Sequence, residues 1–84
     1  MADEVSYYAI VGAGRTAQAP SGLARRTYGA TGPVDEALRR DLTWGPDSAI
    51  VEWEYGDLGT ELVRISEQEA ENLTQALRSR LRRT

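Results

Sequence analysis

A chain of 84 residues with a net charge of −3, no cysteine and no histidine has room for one domain, and most catalytic designs are excluded at once. It lacks the commonest general base and the usual zinc ligands. All ten cations are arginine, which reads as the codon usage of a GC-rich genome, so no lysine amine is present to activate a serine, threonine or tyrosine.

The opening MADEVSYY is acidic and has neither the basic region nor the apolar run of a signal peptide. No window is long and apolar enough to cross a bilayer, so a cytoplasmic location is expected, with residues 1–5 outside the ordered domain. Ser6 to Val11, SYYAIV, is rich in aromatic and β-branched residues and predicts a strand. Tyr8 and Ile10 share one face and Tyr7, Ala9 and Val11 the other, the pattern of an inner strand.

Gly12 to Gly22 is a loop by composition. Within it Gly12-Ala13-Gly14-Arg15-Thr16-Ala17 matches a permissive dinucleotide-binding pattern, with Asp35 and Glu36 downstream. That chemistry needs a helix N-terminus facing the pyrophosphate inside a βαβ unit. Pro20-Ser21-Gly22 leaves no room for the helix, so the glycines read as a flexible connection and no cofactor is expected.

Leu23 to Tyr28, LARRTY, predicts a second strand with one arginine on each face, as at an edge or rim. Gly29 to Pro33 is a turn. Val34 to Trp44 has two readings. As a helix it aligns Val34, Leu38 and Leu42 behind Pro33; as strands it gives the second strand an antiparallel neighbour, with Arg39-Arg40-Asp41 as a tight turn. The strand reading is preferred.

Ala49 to Tyr55, AIVEWEY, alternates like a strand. Asp47 or Ser48 as N-cap and Gly56 as the C′ residue argue instead for a short helix burying Ile50, Trp53 and Ala49. Leu62 to Ile65 is a closing strand. Ser66-Glu67-Gln68-Glu69 is a capping box, after which Ala70, Leu73, Leu77 and Leu81 form one helical stripe. Acids at the start and arginines at the end complement the helix dipole.

Trp44-Gly45-Pro46-Asp47-Ser48, Tyr55-Gly56-Asp57-Leu58 and Leu62 to Ala70 together resemble a group of small actinobacterial proteins. These share a tyrosine-rich first strand, a Trp-x-Pro segment, a Gly-Asp connection and an Ile-Ser-x-x-Glu-Ala helix start. The likeness covers half of the chain. It implies a helix over 48–55 and carries over no activity and no site residues. The expected pattern has Asp-Gly where this chain has Asp41-Leu42.

The fold expected is α+β: a mostly antiparallel sheet of three to five strands, packed by the long C-terminal helix, with a second short helix at 48–55. The expected core is Ile10, Leu23, Leu38, Trp44, Ile50, Trp53, Val63, Ile65, Leu73, Leu77 and Leu81. The acidic pairs read as solvated faces and caps, and no spacing suits a catalytic carboxylate pair or a hard cation. Residues 78–84 hold four arginines and no acid, which leaves −7 on residues 1–77.

Two functions follow. The preferred one is a non-enzymatic interaction module that pairs as a homodimer, because one or two helices leave sheet area bare, with another protein partner open. The alternative is a nucleic-acid or anion binder using the arginine clusters 25–26, 39–40 and 78–83, with Arg25, Arg26, Arg39, Arg40, Arg78 and Arg82 as the contacts. The acidic balance weighs against nucleic acid, and nothing suggests a membrane or a metal.

Overall fold

The computed structural model describes residues 4–12, 15–56 and 61–82, the last two by backbone alone. The elements run β1 (Glu4–Val11), β2 (Gly22–Gly29), β3 (Gly32–Leu38), β4 (Trp44–Pro46), α1 (Ala49–Glu54), β5 (Glu61–Ile65) and α2 (Glu67–Arg82). The strands form one antiparallel sheet in the order β4-β3-β2-β1-β5, and the domain is α+β. Glu4 and Val5, expected outside the ordered part, pair with Tyr28 and Thr27.

β1 is an inner strand, as its apolar residues on both faces predicted. β2 corrects the expectation of an edge: it lies at the centre, between β1 and β3. Its charges are tolerated there because β3 places a carboxylate opposite each one, Glu36 beside Arg25 and Asp35 beside Arg26. This register also decides residues 34–44 for strand and against the helix that propensity alone favours.

Alternation in a sheet sends successive side chains to opposite faces, and each face has its own helix. Ala9, Leu23 and Ile65 pack with Ala70 of α2, joined by Tyr7, Leu38, Trp44 and Leu73. On the opposite face Ala24 and Leu62 pack with Ile50 of α1, joined by Tyr8, Ile10 and Trp53. Leu62 and Ile65 are therefore both buried, under different helices. Val63, expected in the core, is 39% exposed on edge strand β5. Along α2 burial fades: Ala70 is buried, Leu73 and Leu77 are half-buried, and Leu81 lies outside the residues whose side chains are described.

Both halves of the α2 capping box form. The Glu69 N–H donates to Ser66 Oγ and the Ser66 N–H donates to Glu69 Oε1, each at 3.1 Å. At α1 the two candidates divide the work. Asp47 Oδ1 accepts the Ala49 N–H at 2.7 Å, while Ser48 in the N-cap position donates its hydroxyl to Glu52 instead. Gly56 ends the helix at φ +78°, in the left-handed region that favours glycine.

The β3–β4 turn closes through the Arg39 N–H to the Thr43 carbonyl and the Leu42 N–H to the Arg39 carbonyl, at 2.8 and 2.9 Å. Asp41 Oδ1 accepts from the Thr43 N–H and hydroxyl. Leu42 has φ +64°, the position a three-residue hairpin loop usually gives to glycine. The missing glycine did not abolish the hairpin; a strained leucine completes it.

Candidate functional site

The arginines expected to contact a ligand fall into three environments. Arg26 is committed to structure. Its Nε and one terminal nitrogen donate to the two oxygens of Asp35 at 2.7 and 2.9 Å. The terminal nitrogens also donate to Glu54 at 2.9 and 3.0 Å. Asp35 first, then Glu54, raise the Arg26 pKa, and the same hydrogen bonds hold the Glu54 carboxyl below the usual carboxylate range. The Arg26 side chain is only 11% exposed, so this guanidinium joins β2, β3 and α1 and has no face left for a ligand.

Arg25 is held on the other face. Its Nε donates to Glu36 Oε1 at 2.9 Å, and a terminal nitrogen forms an ion pair with the same oxygen, also at 2.9 Å. Its guanidinium stacks 4.3 Å from the centre of the Trp44 ring, a cation–π contact, and Tyr7 meets Trp44 edge-on at 6.2 Å. Tyr7, Arg25 and Trp44, with Glu71, Thr74 and Arg78 of α2, line a polar groove of about 420 Å³. Arg78 thus shares a groove with Arg25, whose guanidinium is already held by Trp44 and Glu36.

Arg39 and Arg40 occupy the β3–β4 turn at the far end of the sheet. The Arg39 guanidinium lies where a Cβ on Gly45 would sit, folded back over the hairpin. Arg40 is exposed and, with Arg80 of α2, borders a second cavity between the helix and the turn. The Arg82 side chain lies outside those described. The five whose side chains are described therefore make no single surface: 25 and 26 are paired on opposite faces, 39 and 40 cap the turn, and 78 joins the groove.

Arg80 belongs to the arginine cluster 78–83 expected from the sequence, but only the packing of α2 against the turn brings it to the same cavity as Arg40. The Arg25–Glu36 and Arg26–Asp35 pairs had a signal that was not used. Arg-Arg and Asp-Glu stand equidistant from Ala30-Thr31, which an antiparallel hairpin brings into register. Among the described residues no cluster of acids is suited to a metal ion. The middle of the glycine motif at 12–17 lies outside the described residues, and Thr16 to Ala19 fold into a tight bridge rather than a helix. No described helix is long and apolar enough to cross a membrane.

The α2 face also has a bare end. α2 starts beside Ile65 and runs toward Leu38 and Leu42, away from the row Val5–Thr27–Val34, which β1, β2 and β3 place in register. Val34 is 52% exposed. The adjoining row carries Tyr7, Arg25 and Glu36. No family model matches this chain, and neither a curated protein nor a solved structure matches it.

Proposed function

We propose that the protein is a non-enzymatic interaction module that pairs with a second copy through the bare end of the α2 face. One observation carries the reading: an in-register β-branched row, Val5–Thr27–Val34, with Val34 exposed and Val5 and Thr27 half-buried, lies beside a row holding one cation and one anion, Arg25 and Glu36. Such a patch is self-complementary. A twofold axis over it sets Val34 against apolar surface and each Arg25 near the partner's acid, the isologous arrangement of most dimers. An enzyme is disfavoured by the chemistry of the chain: it has no histidine, lysine or cysteine, and Asp35, Glu36 and Glu54 are held by Arg25 and Arg26 in ion pairs.

The test is sedimentation over a concentration series. The parent is expected to rise above 9.3 kDa well below about 100 µM, the affinity range of weak specific complexes. Val34→Glu is expected to stay monomeric, and Tyr55→Ser, at the exposed end of α1, to associate as the parent does. A parent that stays monomeric throughout contradicts the proposal. The anion-binding alternative gains its support from a different place, the cavity between α2 and the β3–β4 turn.

A further inference from the structure

Beyond Leu73 the helix α2 stands off the sheet. Leu73 packs against the core that Ala9, Leu23 and Ile65 form, whereas Leu77 and Arg80 have a cavity on either side. The one toward the β3–β4 turn measures about 280 Å³ and is walled by Leu23, Leu38, Leu42 and Leu77. A cavity lined by four leucines in so small a domain forfeits dispersion contacts that close packing would otherwise supply. Its wall also contains the strained residue: Leu42 holds φ +64° while its side chain is half-buried there. Backbone strain in a non-glycine residue concentrates at ligand sites and switches.

The rim supplies the charge. Arg39, Arg40 and Arg80 line the opening; the Arg39 guanidinium is folded back over Gly45, while Arg40 and Arg80 are both exposed, and among the described residues no carboxylate lies within ion-pair distance of either. The acid nearest in sequence, Asp41, is occupied by the Thr43 N–H and hydroxyl, which hold its carboxyl below the usual range. An apolar pocket under two free guanidinium groups is complementary to a molecule with a hydrocarbon body and one anionic head.

We propose that this cavity binds a free medium-chain aliphatic carboxylate, its chain among the four leucines and its head at Arg40 and Arg80. Carboxylate is favoured among anions because the planar guanidinium fork matches its two oxygens. Medium length follows from the volume, which lies near the lower bound of ligand pockets, roughly 300 Å³. The proposal is independent of the dimer, whose surface is at the opposite end of the same face.

The experiment titrates decanoate into the isotope-labelled full chain, below the micelle-forming concentration, following amide and methyl shifts. Decanol is the uncharged control, and Val34→Glu is titrated in parallel so that association does not affect the result. Saturable decanoate binding is expected, about tenfold or more tighter than decanol, the increment of a charge-assisted hydrogen bond. The shifts are expected at Leu38, Leu42 and Leu77. The exposed double variant Arg40→Gln/Arg80→Gln should fold normally, lose that tenfold preference and keep the affinity for decanol. Equal affinities for acid and alcohol, a preference that survives the double variant, shifts centred elsewhere, or no saturable binding would each overturn the proposal.

Discussion

Arg26 in the centre of the sheet grips Glu54 on α1, 28 residues away in sequence, through two hydrogen bonds of 2.9 and 3.0 Å while also holding Asp35 on β3. The six-residue helix α1 is thereby fixed at two points, by Ile50 and Trp53 in the apolar layer and by this guanidinium at its end. A helix of that length is not stable alone, so its place depends on those contacts.

Arg26→Met is therefore expected to destabilise the fold by about 3 kcal/mol, because it leaves the Asp35 carboxylate, 13% exposed, without a partner. Arg25→Met is expected to cost nearer 1 kcal/mol, since Arg25 and Glu36 are each about a quarter exposed and methionine retains contact with Trp44. Chemical denaturation measures both. The reverse order would show that Arg25, not Arg26, holds the sheet together.

Acid should act through the same contact. The Glu54 pKa is lowered in the folded state by its hydrogen bonds to Arg26, and that of Asp41 by those from Thr43. Both stabilise the fold above their unfolded values, about 4, and that stabilisation is lost as pH falls through the lower folded values. Between about pH 5 and pH 3 the parent should lose stability more steeply than Glu54→Gln. Parallel curves in that window would exclude the link. The raised Arg26 value works in the opposite sense and matters only at strongly alkaline pH.

At the β3–β4 turn the usual ordering of apolar substitutions should invert. Leu42→Gly removes wall from a cavity but relieves a left-handed conformation that costs about 1–2 kcal/mol for a residue with a Cβ. It is expected to be neutral or slightly stabilising. Leu42→Val keeps an apolar side chain yet adds β-branching at positive φ, and should lose at least about 1 kcal/mol. Thermal melts of the two variants separate backbone strain from packing.

At the α2 cap, Ser66→Ala should cost about 1 kcal/mol and Glu69→Ala less, since Glu69 Oε1 accepts an exposed N–H. A larger loss at Glu69 would assign it another partner.

The elements were legible where local chemistry dictates them. The capping box and leucine stripe defined α2, the tyrosine-rich segment defined β1, and Gly56 closed α1 where expected. The placement of strands was less legible, because it rests on pairs distant in sequence. Two adjacent arginines resemble an edge until Asp35 and Glu36 are laid across from them. Leu62 is buried because both faces of the sheet carry a helix, so alternation marks two apolar layers rather than inside and outside, and Val63 is exposed because β5 is an edge strand. Of the site, Arg39, Arg40 and Arg78 were named from sequence, but their separation and the partnership of Arg40 with Arg80 depend on how α2 crosses the sheet.

The central claim, that the bare end of the α2 face is a self-pairing surface, is tested most directly by isotope-filtered NOE measurements on an equimolar mixture of labelled and unlabelled chains. Intermolecular contacts are predicted from the methyls of Val34 to Val5, Thr27 or Val34 of the second copy, and they should vanish in Val34→Glu. Intermolecular contacts confined to α1 or to the Arg40–Arg80 cavity, or none at concentrations where sedimentation detects a dimer, would contradict it.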